Sequence, residues 1–293
     1  MTKQLPLDVL VCGATGKQGG ALTRALISRG HRVRALTRHA ESPAAVALRQ
    51  SGVRLFTGSY DDAASLERAA AGADAVFAMG IPWGEGGVEA ETRQGIAVVD
   101  AAVKAGVKHL VYTSIASVNR HTGIPFFESK VPIEKRIAES GITHTIIGPV
   151  FFMENVGGPL LAPALREGKL AMPLPPGRKL QQIAVADIGG FAATVIENPG
   201  KYGGRRVDIA SAELTGLEAA DILSRAAGRK IEYVEVPLAE MRKFSDAYAA
   251  MFEWFDRVGY DADITQLRHE APEAGWHSYE SWAAEQDWKS LLG

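Results

Sequence analysis

The chain has 293 residues, 46% hydrophobic and 23% charged, enough to bury one large core or two unequal ones. A net charge of −2 and a pI of about 6.4 exclude the electrostatic footprint of a nucleic-acid binder. No apolar run approaches the roughly 18 residues a membrane-spanning helix needs, and Met1–Pro6 lacks the apolar stretch of a secretory leader, so a soluble cytoplasmic protein is expected.

The first informative stretch is Val9–Gly20, where an apolar run ends in Gly13, Gly16 and Gly19, spaced G-x-x-G-x-x-G. An amphipathic pattern then begins at once, with Leu22, Ala25 and Leu26 on one face and Gly30 where a C-terminal cap belongs. Strand, glycine turn and helix in this order form a dinucleotide-binding unit. Gly13 permits the tight turn, Gly16 lets the backbone approach a pyrophosphate, and Gly19 lets helix and strand pack closely. The free N–H groups and dipole of the helix start favour an anion. A kinase-type phosphate loop is excluded, because no G-x-x-x-x-G-K-[ST] occurs. The single cysteine, Cys12, lies in the first strand, where a packing role suits it better than a redox one.

The first strand is read as Asp8–Cys12, the first helix as Lys17–Arg29 and the second strand as Arg32–Thr37. About 20 residues past the glycines, an acid would hold a ribose 2′-hydroxyl and an arginine a 2′-phosphate. Arg38 stands there, with Arg34 upstream and no acid before Glu41, which favours NADP(H) over NAD(H). A solvated arginine at a strand end is the plainer alternative.

A third strand spans Val53–Phe56, and Asp62 caps a helix Ala63–Ala71 that Gly72 ends. Ala75–Met79 is the fourth strand. It opens into the glycine-rich loop 80–87, which either borders a ligand beyond the strand ends or is an ordinary connection. A helix over Glu89–Ala105, a strand His109–Thr113 ending in Ser114, a helix Phe126–Ser140 and a strand Thr143–Ile147 follow. Strands alternating with helices in this way predict an α/β fold, a doubly wound parallel sheet of Rossmann type.

From Val150 the rhythm breaks. A Pro/Gly-rich stretch, 157–177, lacks helical or strand period, then Ile183–Val185 resumes a strand and Asp187 caps a helix through Ile196. Arg206–Ile209 is a short strand, and Thr215 to Glu218 form a capping box for a helix ending near Gly228. A strand Ile231–Val236, an aromatic-rich helical region from Pro237 to Val258 and a last helix Ser278–Trp288 with Trp282 inward complete the chain. The expected division is a dinucleotide-binding domain over 1–150, to which 183–210 returns, and a smaller α+β lobe from 151–182 and 211–293 that closes a cleft over the strand ends.

Several of these stretches together resemble the NmrA-like family of atypical short-chain dehydrogenase/reductases. They are Gly13-Ala14-Thr15-Gly16-Lys17-Gln18-Gly19, Arg38, Phe-Phe-Met-Glu-Asn at 151–155 and Ile183–Ala193 with its Asp187-Ile188-Gly189. The resemblance covers most of residues 7–200. It implies a Rossmann domain with a small C-terminal lobe, in a family whose members are NADP(H)-binding sensors or NADPH-dependent reductases of quinones, dyes or phenylpropanoids. Carried over, Gly13, Thr15, Gly16, Lys17, Gln18 and Gly19 meet the pyrophosphate and Arg38 the 2′-phosphate. Met79, Gly80, Lys130, Pro149, Phe152 and Asn155 complete the cofactor site. This chain departs from the family pattern after Arg38, where His39-Ala40-Glu41 replaces a second basic residue, and at Gly58-Ser59, where Gly-Asp is usual.

Classical short-chain dehydrogenases use Tyr-x-x-x-Lys, in which the tyrosine is the general acid. Here Phe126-Phe127-Glu128-Ser129-Lys130 keeps the lysine and loses the acid. Lys130 is then a cofactor-orienting residue or a solvated helix lysine, and Ser114 a substrate ligand or a strand-end serine satisfying backbone. Loss of the tyrosine demotes carbonyl reduction, whereas hydride transfer to a quinone- or dye-like acceptor needs less help from a protein acid. The expected role is an NADPH-dependent reductase of a small conjugated acceptor, with a non-enzymatic sensor acting through a protein partner as the alternative. The seven histidines lack metal-ligand spacing, so no metal is assigned, and His121 is the one histidine in a loop near the expected cleft. Tyr248, Phe252, Trp254 and Phe255 fall at helical spacing, as core or as a substrate wall. No G-x-S-x-G elbow marks a hydrolase.

Overall fold

An apolar strand ending in a glycine turn lies in the interior of a seven-stranded sheet, third from one edge. The computed structural model describes residues 5–293, so the reading of Met1–Pro6 lies outside the described residues up to position 4. β1 (Asp8–Val11), β2 (Arg32–Thr37), β3 (Arg54–Thr57), β4 (Ala75–Met79), β5 (His109–Thr113) and β6 (His144–Pro149) pair in parallel. Their order is β3-β2-β1-β4-β5-β6, the dinucleotide-binding order in which the chain reverses direction beside β1 and leaves a crevice at the strand ends.

Alternation along the strands builds a core on each face. Val9 and Val11 of β1 point to one side, where they meet Leu22 and Leu26 of α1 (Lys17–Ser28). Leu10 and Cys12 point to the other. There they meet Leu66 of α3, counted after α2 (Pro43–Gln50) as Ala63–Ala70, and Val98 and Val99 of α4 (Gly87–Lys104). Asp62 caps α3 through the Ser65 N–H at 3.1 Å, as its spacing predicts.

The helix expected over 126–140 is broken into α5 (Pro125–Glu128) and α6 (Val131–Glu139). Pro132 has no N–H to continue the ladder, so the chain kinks at Ser129-Lys130. After β7 (Phe151–Phe152), the stretch expected to be irregular contains α7 (Ala162–Arg166) and β8 (Lys169–Met172), and a further strand, β9, spans Lys179–Ile183. Val185 belongs to α8 (Val185–Glu197) instead of a strand. α8 packs on α1 so closely that a Cβ on Gly189 would lie 2.5 Å from the Ala21 carbonyl carbon. Following α9 (Pro199–Tyr202), β10 (Arg205–Ile209) returns to the sheet as its seventh strand, outside β6.

A third core fills the lobe over the strand ends. It joins Phe127, Phe151 and Met153 to Leu165, Leu170, Phe252, Phe255 and Trp282. β11 (Ala212–Thr215) pairs with β9, and β12 (Glu232–Glu235) with β8. The capping box of α10 (Gly216–Ala227) forms through Thr215 and Glu218 as expected. The aromatic-rich region splits into α11 (Leu238–Phe244) and α12 (Asp246–Arg257), because the Ser245 hydroxyl starts a new helix by accepting from Tyr248 N–H. Downstream, α13 (Ile264–Glu270) and residues to Trp276 do not stay in the lobe: Leu267, Ala271 and Ala274 pack on the α1 and α8 side of the sheet. The expected last helix is two short ones, α14 (Tyr279–Ala284) and α15 (Trp288–Leu292). Among the described residues no helix is long and apolar enough to cross a membrane.

Candidate functional site

The glycine turn has the geometry of a phosphate cradle. Gly13 has φ +67°, and a Cβ there would collide with the Met79 sulfur. Gly16 N–H donates to Gly13 O at 2.8 Å, closing the turn. A Cβ on Gly19 would sit 2.5 Å from the Gly13 carbonyl carbon, so this glycine sets how near α1 comes to the turn. Among the described residues no side chain caps α1 and no acid lies in its first turn, which leaves the positive end of a 12-residue helix open at the cleft. These features fit a dinucleotide diphosphate.

Two adjoining cavities flank the turn, and Ile81 lines both. The polar one, about 480 Å³, is lined by Gly13, Thr15, Arg38, Ser59 and Tyr60. Arg38 is exposed and makes no hydrogen bond or ion pair among the described residues. Arg34 is withdrawn from it. Its buried guanidinium grips Asp8 at 2.6 and 2.8 Å and donates to the carbonyls of Ala71 and Gly72. Tyr60 lies against Cys12 and Gly13 at the turn, and burial, the largest cause, lifts its pKa. Burial also pushes the Cys12 thiol up to about 12, which suits a packing residue.

The second cavity, about 380 Å³, gathers most of the remaining candidates: Lys17, Gln18, Met79, Gly80, Ser114, Lys130, Pro149, Phe152 and Asn155. Thr113 Oγ1 donates to Gln18 Oε1 at 2.8 Å and ties the helix start to the end of β5. Gly16 and Gly19 line neither cavity and shape the turn from beneath. Lys130 is no solvated helix lysine. It is buried, with Nζ donating to Glu91 Oε1 at 2.7 Å and to Phe126 O at 3.1 Å. Burial lowers its pKa, and the Glu91 carboxylate opposes that fall. The Ser114 hydroxyl satisfies a side chain instead of backbone, donating to Glu134, whose carboxylate also meets Arg206. Arg206 continues to Asp208 and to the Ile115 carbonyl, and a Cβ on Gly148 would block that crossing.

The aromatic residues divide between the two expected roles. Phe252 and Phe255 are core, whereas Tyr248 lines the cavity. Trp83, from the loop after β4, stacks on Tyr248 at 5.5 Å and 21° and leans on Phe126 at 5.0 Å. Loop 80–87 therefore borders the cavity, and Phe126 stands in its wall where a tyrosine would carry a proton. His121 is exposed, with φ +52°, and does not line the cavity. Among the described residues no cluster of His, Cys, Asp and Glu could hold a metal.

Asp187 does not cap α8. It lies two residues into the helix, fully buried, and binds the His277 N–H at 3.1 Å and its Nδ1. The cap comes from Glu154, whose oxygens accept from Val185 N–H at 3.0 and 3.1 Å and from Trp282 Nε1 at 3.0 Å. The Phe-Phe-Met-Glu-Asn stretch is thus divided: Phe151 and Met153 enter the core, Glu154 staples helix and tail, and Phe152 and Asn155 face the cavity. Glu91, Glu134, Arg206 and Trp83 are absent from the residues singled out in the sequence. Glu91 and Arg206 lie far along the chain from the side chains they serve.

The model of the NmrA-like family matches residues 7–284. The chain belongs to the NmrA-like family. It is 30% identical over 236 residues to an NAD(P)H azoreductase of Xenophilus azovorans, covering 80% of this chain and 79% of that one. NmrA itself, a negative transcriptional regulator solved in complexes with NADP and with NAD, superposes with a TM-score of 0.81. The NADP complex shares 22% identity over 98% of this chain and 100% of the other. A Citrobacter triphenylmethane reductase complexed with NADP(H) has a TM-score of 0.76 at 24% identity, covering 88% and 94%. At these identities the structural matches establish the fold.

Proposed function

We propose that this protein is an NADPH-dependent reductase of a small, conjugated, largely apolar acceptor, working in the cytoplasm. The observation that carries the reading is the pair of adjoining cavities on either side of the uncapped start of α1. One is lined by Arg38 and the other, walled by aromatic rings, by Lys130. The azoreductase and triphenylmethane reductase among its relatives agree with it. When bound, the nicotinamide would supply a hydride to the acceptor. The chain's own part is to seat the diphosphate on Gly13, Thr15, Lys17 and Gln18, with Arg38 toward a 2′-phosphate. Lys130 orients the ribose, and Phe126, Trp83 and Tyr248 exclude water around a flat acceptor. Ser114 faces the same cavity and offers its oxygen as an acceptor, since its proton is given to Glu134.

A second reading is favoured by Phe126: with no acid there, the protein would be a dinucleotide sensor that signals through a protein partner, as the likeness to a regulator suggests. Calorimetry with NADPH and NADH, followed by NADPH consumption with quinones, azo dyes and triphenylmethane dyes, separates the two. Turnover of any acceptor supports the reductase. Binding without turnover overturns it in favour of the sensor, and no binding of either nucleotide overturns both.

A further inference from the structure

Lys130 is held by a device that lies outside every motif in the sequence. Glu91, in the second turn of α4, is fully buried. Its Oε1 accepts from Lys130 Nζ at 2.7 Å and its Oε2 from Ser129 Oγ at 2.5 Å. Next to it, Thr92 Oγ1 donates to the Ser129 carbonyl at 2.8 Å. α4 therefore staples both residues of the kink between α5 and α6, where backbone hydrogen bonding is interrupted. Room for this comes from Gly80: a Cβ there would lie 2.6 Å from Glu91 Cγ. A carboxylate buried this completely is costly unless it is paired and fully hydrogen-bonded. This one has a partner for each oxygen, Lys130 in the wall of the cavity and Ser129 beside it in the kink.

We propose that Glu91 is the positioning residue of the site: it fixes the Lys130 ammonium at the cavity floor, with two N–H groups engaged and the third left for a ligand. The proposal rests on the reading that the cavity beside Lys130 receives the ribose end of a dinucleotide. It assigns the role that a tyrosine partner has lost at Phe126 to a carboxylate approaching from another helix. The groups facing Lys130 are few. Glu91 lies on α4 and Glu134 on α6, where Arg206 of β10 pairs with Glu134. Tyr112 of β5 faces both carboxylates, and Lys17 of α1 lies on the same cavity. Glu91 is the one among them that bonds to the ammonium directly, so its removal leaves the amine in an apolar setting where the neutral form is favoured.

The test uses the full chain in four forms, native, Glu91→Gln, Glu91→Asp and Lys130→Met, with three readouts, of which NADPH affinity by calorimetry is expected to fall in Glu91→Gln and Lys130→Met. In ¹³C-lysine NMR of the ligand-free protein, the Lys130 signal is identified by its loss in Lys130→Met. Its titration midpoint is expected to fall by about one pH unit or more in Glu91→Gln and by a smaller, still measurable amount in Glu91→Asp, whose carboxylate is one methylene short of the ammonium. In kinetics with any acceptor the native protein reduces, Glu91→Gln is expected to lose on the order of 10- to 100-fold in kcat with acceptor KM little changed. Its activity should also fall away at lower pH than that of the native enzyme as pH rises. An unmoved Lys130 titration, or a lowered Tm with kcat and pH profile intact, overturns the proposal and leaves Glu91 a purely structural staple. If the native protein reduces nothing, the reductase reading fails, while the ligand-free titration and NADPH affinity still decide the role of Glu91. Should Glu91→Gln not fold, the same readouts on Glu91→Asp decide: a Lys130 midpoint, kcat and NADPH affinity all at native values overturn the proposal, and a displaced midpoint upholds it.

Discussion

Replacing Arg38 by alanine probes the nucleotide preference with little risk to the fold, because this side chain is exposed and unpaired among the described residues. A hydrogen bond between charged groups contributes about 1.5–3 kcal/mol. Arg38 would offer its forked donors to a 2′-phosphate at the lip of an open cavity, where solvent and salt weaken the attraction. A value near the lower end, about 2 kcal/mol, converts to a loss of roughly 30-fold in NADPH affinity. Two nearby polar side chains are already engaged. Arg34 is committed to Asp8 and the carbonyls of Ala69, Ala71 and Gly72, and Ser42 is turned to the backbone of His39 and Ala45. NADH has no 2′-phosphate and should lose about twofold or less. The assay is titration calorimetry of native protein and Arg38→Ala with both nucleotides at two salt concentrations. The NADPH difference should shrink as salt rises. Equal losses for NADPH and NADH would refute the assignment of Arg38 and the preference built on it.

Three further outcomes follow from the geometry. Glu154→Ala strands the Val185 N–H and the Trp282 indole N–H together, and should lower stability by roughly 2–4 kcal/mol in denaturant unfolding; a change under about 0.5 kcal/mol would show that water replaces the carboxylate. At His277, burial works against the charged form, but the bonds to Asp187 and Glu285 outweigh it and hold the pKa above the usual 6.5. Stabilisation from this contact is therefore complete below 6.5 and lost as pH rises through the folded value, so the Tm of the native protein should decline above neutrality more steeply than that of His277→Asn. Parallel Tm curves for the two proteins would contradict it. Trp83→Ala removes two ring contacts worth about 0.5–1.5 kcal/mol each. It should raise KM for multi-ring acceptors by about fivefold or more while NADPH affinity stays level. An unchanged KM would mean that the acceptor binds elsewhere.

What the sequence disclosed and what it hid have separate physical causes. Strands β1 to β6 and the glycine turn were legible because local rules govern them: buried parallel strands are short apolar runs, and Gly13 and Gly19 occupy places no other residue could. The same holds for Asp62 and the Thr215–Glu218 box, whose partners are three residues away. Asp187 shows where the logic fails. An acid near a helix start looks like a cap, but the true cap, Glu154, lies 31 residues upstream and shares its carboxylate with Trp282, 128 residues on. The lobe was read poorly for a related reason, since elements of four to seven residues carry too few turns for a period to emerge. Within the site, Lys130 was visible through its spacing from Phe126. Glu91 was invisible, because an acid early in an amphipathic helix ordinarily faces water. The missing side chain at Gly80 leaves it room to turn inward, where Lys130 and Ser129 hold it.

The position of β10 bears on how the molecule is made. β6 pairs with β5 on one edge and with Arg205–Ile209 on the other, and 55 residues of lobe and connecting helix separate β6 from that second neighbour. During synthesis the nascent sheet emerges with an apolar border unsealed until those residues leave the ribosome, and the glutamate that anchors the tail waits longer still for its tryptophan. A chain cut anywhere between the two strands would hold six of the seven strands with the outer edge of β6 unpaired, so the interval from Val150 to Gly204 is where the growing chain is open to pairing with a stranger.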